Sequence, residues 1–88
     1  MLGKVHYQLG QAYEALQDDK QAVRAYKRLL HLDPVNPADI NYRVARLLKD
    51  DAPVEARRHV LLALAEAPRF RAAHRLLLEI VEKKQNRR

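Results

Sequence analysis

The chain has 88 residues, and 17 Lys and Arg against 11 Asp and Glu leave a net charge of +6. Its length predicts a single domain over residues 1–88, and contents of 48% hydrophobic and 32% charged residues are typical of a folded chain. Because Cys, Ser and Thr are absent, disulfides, thiolate metal sites and serine, threonine or cysteine nucleophiles are excluded.

Five segments carry apolar residues at helical spacing, and none alternates as a β-strand does. In chain order, the inward residues that this spacing predicts are Leu9, Ala12, Tyr13 and Leu16; Ala22, Tyr26, Leu29 and Leu30; Val44, Ala45, Leu47 and Leu48; Ala56, Val60, Ala63 and Leu64; and Ala73, Leu77, Ile80 and Val81. The last segment extends from about Phe70 to Gln85. The sequence therefore predicts five helices.

Short polar links separate these helices, and all but the first of them contain proline. Asn36 and Pro37 are typical of the N-cap and the first residue of a helix, and they predict the start of the third helix. The carboxylate pairs Asp18–Asp19 and Asp50–Asp51 precede the second and fourth helices, and we interpret them as caps because tight turns offer no catalytic cleft. The segments Asp33–Val35 and Ala67–Pro68 end the second and fourth helices.

The chain repeats itself with a period of 34 residues. A shift of 34 aligns Ala22 with Ala56, Tyr26 with Val60, Leu30 with Leu64 and Pro34 with Pro68; a shift of 35 aligns Leu9–Gly10 with Val44–Ala45; and a shift of 68 aligns His6 with His74 and Leu9 with Leu77. Two full units and the first half of a third account for the chain. Each unit is predicted to be a pair of antiparallel helices.

These units resemble the tetratricopeptide repeat, whose pattern is W-x2-L-G-x2-Y, then A-x3-F, then P. The first unit has His6-x2-Leu9-Gly10-x2-Tyr13, Ala22-x3-Tyr26 and Pro34; the second has Asn41-x2-Val44-Ala45-x2-Leu48, Ala56-x3-Val60 and Pro68; the third half has His74-x2-Leu77-Leu78-x2-Val81. The resemblance implies an all-α fold, a right-handed α-solenoid of five antiparallel helices. It places repeat 1 at residues 3–36, repeat 2 at 37–69, a capping helix at 70–85 and a basic tail at 86–88.

The two ends of this stack differ in polarity, since the last helix carries charged residues and the first carries apolar ones. The outer side of the fifth helix carries Glu79, Glu82 and Lys83, which is consistent with a cap that faces solvent. At the start, Met1, Leu2 and Val5 would lie where a preceding repeat packs. We therefore infer that the chain is the C-terminal piece of a longer array.

The resemblance also implies a concave surface that is lined by the first helix of each unit. Once the core positions are removed, the stripes that remain are Lys4, Tyr7, Gln11 and Glu14; Asp39, Tyr42, Arg46 and Lys49; and Ala72, Arg75, Glu79 and Glu82. Because Tyr and Arg often anchor interfaces, the predicted binding residues are Lys4, Tyr7, Gln11, Tyr42, Arg43, Arg46, Arg75 and Glu79. We expect an extended or helical peptide that bears an acidic group. The alternative is that these are ordinary solvated positions.

One specialised form of the family binds the C-terminal tails of chaperones through a carboxylate clamp. That form would require Lys, Asn, Asn, Lys and Arg at the positions that Tyr7, Gln11, Arg43, Ala72 and Leu76 occupy here. None of the five matches. The sequence therefore argues against a chaperone-tail adaptor.

A second surface feature is a change from charged to apolar residues between the second helices of the two units. Lys27 and Arg28 of the second helix align with Leu61 and Leu62 of the fourth. One interpretation is a small rotation of the fourth helix, or cover by the fifth. The alternative is a self-association patch at Leu61 and Leu62 that forms a homodimer.

Residues with catalytic or metal-binding potential show no suitable spacing. The four histidines, His6, His31, His59 and His74, form no metal motif, and the glycines Gly3 and Gly10 form no phosphate loop. We therefore predict a protein that is not an enzyme and that binds no cofactor or metal. The apolar run Val60–Ala65 is too short to span a membrane, and Met1–Lys4 shows no signal-peptide core, so we expect a cytoplasmic protein.

The sequence is compatible with three hypotheses about the function. The resemblance implies a protein–protein interaction or scaffold module, and we take this as the prediction. The second reading is a self-association or packing segment of a larger array. The third is contact with an anionic surface or nucleic acid through Lys20, Arg24, Arg28 and the tail residues Lys83, Lys84, Arg87 and Arg88. Without the four tail charges the net charge is +2, which does not favour nucleic acid.

Overall fold

The structure, a computed structural model, describes residues 2–32 and 36–85, with side chains at 4–32 and 36–82. Within these ranges the chain forms five helices and no strand: α1 (Leu2–Ala15), α2 (Asp19–His31), α3 (Pro37–Leu48), α4 (Pro53–Glu66) and α5 (Arg71–Gln85). This arrangement confirms the predicted all-α fold. None of these helices is long and apolar enough to cross a membrane.

Several predictions concern segments outside the described residues. These are the start at Met1, the end of the second helix at residues 33–35 and the basic tail at 86–88. The side chains of Leu2, Lys83 and Lys84 also lie outside the description.

Two of the three predicted caps are present. Asp18 Oδ1 accepts a hydrogen bond from the Gln21 backbone N–H at 3.4 Å, and Asn36 Oδ1 accepts one from the Asp39 N–H at 3.2 Å. Pro37 is the first residue of α3, as predicted. At α4 the prediction was wrong, because the N-cap position is occupied by Ala52, which makes no side-chain cap, and not by an aspartate.

The helices stack in chain order as two hairpins followed by α5. α1 packs on α2, α3 on both α2 and α4, and α5 mainly on α4, with a smaller contact to α3. The molecule measures 44 × 28 × 17 Å, which is an elongated slab. Helix hairpins that contact only their neighbours form an α-solenoid, and the predicted architecture is confirmed.

The buried apolar residues form two clusters that follow the order of the stack. The first cluster joins α2 to α3 and contains Ala22, Val23, Tyr26, Leu29, Ile40 and Val44. The second joins α3, α4 and α5 and contains Ala45, Ala56, Val60, Ala63, Ala73, Leu76 and Ile80. Leu48 packs against both clusters and links them.

The predicted core stripe of the first helix is wrong. Leu9, Ala12 and Leu16 are exposed, and of the predicted set only Tyr13 is half-buried. From residue 4 onwards, the buried residue of α1 is Gly10, which lies against the ring of Tyr26. The spacing correctly indicated an apolar face, but no described helix covers it.

The end of the stack also departs from prediction. Val81 of α5 is exposed instead of buried, whereas Leu76, which was not among the predicted inward residues, is buried. Leu78 is exposed as well, so the outer side of α5 carries apolar residues beside the exposed Glu79 and Glu82. The reason is that α5 turns one apolar face towards α4 and has a second, narrower one that points away from it.

Candidate protein-interaction surface

The first helices of the successive units lie side by side and are joined by polar contacts. Three contacts cross between them: Tyr7 Oη donates to Asp39 Oδ2 at 3.5 Å, Arg46 Nη2 to Glu14 Oε1 at 2.5 Å, and Lys49 Nζ to Glu79 Oε2 at 3.0 Å. All six residues belong to the stripes that the sequence analysis assigned to the concave surface. The structure therefore brings the stripes of α1, α3 and α5 together into one continuous surface, which we call the inner surface.

Glu14 is the residue where three helices meet. Its carboxylate accepts hydrogen bonds from Tyr26 Oη of α2 at 2.8 Å and from Arg43 Nη1 of α3 at 3.4 Å, in addition to the contact with Arg46. Only 17% of its side chain is exposed. The sequence analysis placed Glu14 on a stripe but did not include it among the binding residues, because its partners lie 12 to 32 residues away.

The side chain of Arg43 is already bound by other residues of the protein. Its Nε donates to Asp39 Oδ2 at 3.0 Å, its Nη1 reaches Glu14, and its guanidinium lies over the ring of Tyr7 at 5.4 Å. With 23% of its side chain exposed, it has little freedom to turn towards a ligand. Arg43 thus stabilises the inner surface from within.

The aromatic residues of the inner surface pack on neighbours of their own. Tyr42 lies against Phe70 at 5.0 Å between ring centroids, and Arg46 stacks over Tyr42 at 5.7 Å. Phe70 precedes α5 and was not predicted as a surface residue. Its contact with Tyr42 stabilises the packing between α3 and the start of α5.

Three of the predicted binding residues make no such contacts. Lys4, Gln11 and Arg75 are exposed, and none forms a side-chain hydrogen bond or ion pair with another residue that the structure describes. Glu79 and Arg46 remain partly exposed outside their ion pairs. These are the groups that a partner could reach.

Comparison with known families identifies the first hairpin. A family model for the tetratricopeptide repeat matches residues 3–34, which cover α1 from its second residue and all of α2. This hairpin belongs to the tetratricopeptide repeat family. The match confirms the resemblance of the first unit, and tetratricopeptide repeats are in general protein–protein interaction modules. Searches of curated proteins and of solved structures found no significant match.

The hairpin of α3 and α4 has a buried polar pair between its two helices. At the position that is Trp in the tetratricopeptide pattern, Asn41 is buried, and its Oδ1 lies 2.8 Å from His59 Nδ1. Asn41 Nδ2 donates to the Pro37 carbonyl at 3.1 Å, so its Oδ1 is the acceptor and His59 Nδ1 carries the hydrogen. A polar pair therefore replaces the apolar contact between the helices of this repeat.

The environment of His59 disfavours its charged form. Burial lowers the pKa of His59, and this effect exceeds the opposing attraction of Glu55, which lies 3.7 Å from Nε2. Glu55 is itself held by Lys27 of α2 at 2.5 Å, and this hydrogen bond lowers the pKa of Glu55. The contact between Lys27 and Glu55 joins the second helices of the two units.

Leu61 and Leu62 lie on the outer side of α4 and are both exposed. Cover by α5, which the first interpretation offered beside a small rotation of α4, is therefore wrong. Among the side chains that the structure describes, no group of three His, Cys, Asp or Glu residues could hold a metal ion.

Proposed function

We propose that the inner surface binds a segment of a partner protein in an extended or helical conformation. The observation that supports this most directly is the set of contacts across α1, α3 and α5, which turns three separate stripes into one preorganised surface. A surface whose side chains are already held in place loses less conformational entropy on binding. The partner segment would lie across the three helices.

The charge left on the inner surface favours an acidic group in the partner. Internal pairs occupy Asp39, Arg43, Glu14, Lys49 and Glu79. Two exposed cations, Lys4 and Arg75, have no ion-pair partner among the described residues. Arg46 offers its remaining N–H groups from a side chain that is 42% exposed. We assign the acid-binding role to Arg46 and Arg75, and not to Arg43.

This proposal makes the chain an adaptor and not an enzyme. Recognition by exposed Arg and half-buried Tyr side chains requires no reacting group and no cofactor. The cytoplasmic location and contact of the exposed α2 residues Lys20, Arg24 and Arg28 with an anionic surface remain untested predictions.

A peptide selection on the immobilised chain tests the proposal. Peptides enriched from a random library would be titrated by fluorescence anisotropy against the unchanged chain and against R75A and Y42A. We expect enriched peptides to contain Asp or Glu, and each variant to weaken binding tenfold or more. Amidation of the acidic residue should cause a loss of the same size in the unchanged chain, and a smaller one in R75A.

The matched control is R24A, which removes an exposed arginine from α2 and leaves the inner surface intact. Its affinity should equal that of the unchanged chain. If R24A weakens binding as much as R75A, and the affinity falls steeply with salt, a general attraction to anions explains the binding and the proposal fails.

A further inference from the structure

The second helices of the two units, α2 and α4, turn equivalent faces away from the rest of the stack. The 34-residue shift aligns the buried Ala22 of α2 with the buried Ala56 of α4, and it aligns the buried Tyr26 with the buried Val60. Both helices therefore present the same side to the core, and the residues that the shift aligns on their other side lie on one side of the molecule. We call this side the outer surface, and its residues are Lys20, Arg24, Lys27 and Arg28 of α2 and Val54, Arg58, Leu61 and Leu62 of α4.

An ion pair joins the two halves of the outer surface. Lys27 Nζ lies 2.5 Å from Glu55 Oε2, so the outer sides of α2 and α4 are neighbours and the charge of Glu55 is balanced. The two helices carry two other acidic residues, Asp19 and Glu66, which are the first residue of α2 and the last residue of α4. The middle of the outer surface therefore holds cations without a free carboxylate beside them.

Four cations of the outer surface have no partner within the described part of the chain. Lys20, Arg24, Arg28 and Arg58 are all exposed, and none forms a side-chain hydrogen bond or ion pair with another residue that the structure describes. Three of them follow one another on α2 at intervals of four residues, which places them in a row on one helix face. A row of cations that the protein does not neutralise attracts a surface of many negative charges.

Exposed apolar side chains belong to the same surface. Val54, Leu61 and Leu62 are 66%, 46% and 48% exposed. The 34-residue shift gives Leu61 and Leu62 the places that Lys27 and Arg28 take on α2. Large apolar residues on α4 therefore lie beside the cations of α2. A partner that fits the whole surface must offer negative charge and an apolar phase together.

We propose that the outer surface docks on the face of a membrane that contains anionic phospholipids. The negative headgroups attract the cations, and the boundary between headgroups and acyl chains accepts the leucines. A nucleic acid would attract the same cations, but its phosphate backbone offers no apolar phase to Leu61 and Leu62. In this orientation the inner surface faces away from the bilayer. The docking is therefore independent of the binding proposed for the inner surface, and a partner protein could bind there at the same time.

Sedimentation of the chain with lipid vesicles tests the role of the cations. Vesicles of phosphatidylcholine and phosphatidylserine should bind the chain, and vesicles of phosphatidylcholine alone should bind it far more weakly. The double variant R24A/R28A should lower the affinity about 25-fold, because each cation at an anionic membrane surface contributes about a factor of five. The matched control R24K/R28K keeps both charges and should bind like the unchanged chain.

The leucines provide a readout that attraction between charges alone would not change. The chain contains no Trp, so L61W places a single indole on the outer surface, and L78W places one at an exposed leucine of α5 as the matched control. With the mixed vesicles, the emission of L61W should shift to shorter wavelength as the indole enters the interface, and that of L78W should not. L61A/L62A should weaken binding about tenfold, with unchanged helix content by circular dichroism because both residues are exposed.

Three results would overturn the proposal. The first is equal binding to vesicles with and without phosphatidylserine. The second is full affinity of L61A/L62A for the mixed vesicles, or tighter binding to a DNA duplex than to those vesicles, because either shows that the cations attract any polyanion. The third is a dimer of the free chain in sedimentation equilibrium that L61A/L62A abolishes, which would assign the leucines to self-association.

Discussion

Gly10 lies so close to the ring of Tyr26 that a Cβ atom at position 10 would overlap three ring carbons. The ring has no room to move, because Tyr26 is fully buried and its hydroxyl is bonded to Glu14. In the second unit the equivalent residues are Ala45 and Val60, which are both buried in one cluster. In the first hairpin the small Gly10 is paired with the large Tyr26, and in the second the larger Ala45 is paired with the smaller Val60.

The variant G10A should destabilise the protein. Alanine favours the helix by about 1 kcal/mol over glycine. Overpacking against a buried ring costs about 1–3 kcal/mol, so the net effect is a lower free energy of unfolding. Urea denaturation measures it. A stability equal to or above that of the unchanged chain would contradict the contact.

The double variant G10A/Y26V recreates the pairing of the second unit and provides the control. Y26V alone opens a cavity and loses the hydrogen bond to Glu14, so it is also destabilising. We expect the double variant to be more stable than the sum of the two single effects predicts. Additive effects would show that the two positions do not contact each other.

Glu14 should contribute far more to stability than the other inner-surface carboxylates. E14A leaves the buried hydroxyl of Tyr26 without its acceptor and releases Arg43 and Arg46 from an ion pair. We expect a loss of about 1–3 kcal/mol in the free energy of unfolding. The control is E79A, whose side chain is more exposed and whose loss should stay below about 1 kcal/mol. Equal losses in urea denaturation would contradict the central role of Glu14.

α4 can be stabilised at its start. Ala52 has φ −138° and ψ 68°, close to the φ −132° and ψ 76° of Asn36, which caps α3. A52N should therefore supply the missing cap and raise the free energy of unfolding by about 1 kcal/mol, and N36A should lower it by a similar amount. Thermal unfolding of both variants checks the prediction, which fails if A52N lowers the melting temperature.

His59 should make the protein less stable in mild acid. Its pKa is lowered in the folded state, mainly by burial, so the unfolded chain binds a proton at a higher pH than the folded chain. The stabilising contribution is complete above the ordinary pKa of histidine, about 6.5, and is lost as the pH falls below it. The lowered pKa of Glu55 acts in the same direction, but at more acidic pH.

The variant H59Q separates this effect from the other titrating groups. Glutamine can still donate to Asn41 but carries no titratable proton, and His6, His31 and His74 are common to both proteins. Urea denaturation between pH 5 and 7.5 should show a smaller loss of stability in H59Q than in the unchanged chain. Equal pH dependence would show that another group is responsible.

The sequence by itself determined the helices, the period and most caps. Helix spacing, the Asn36–Pro37 start and the 34-residue shift are local or periodic signals, and contacts within a few residues decide them. This is why the described helices agree with the predicted segments, and why the stripes of the inner surface share one side.

Only the tertiary structure decided which apolar faces are covered and which charges are already used. Leu9 and Val44 occupy equivalent positions, yet one is exposed and the other buried, because burial depends on whether a neighbouring helix is present. Arg43 and Arg75 look alike in the sequence, yet Arg43 is held by residues of α1 and α3 and Arg75 is exposed. Contacts between residues about 30 positions apart depend on how the helices stack, and no local spacing contains that information.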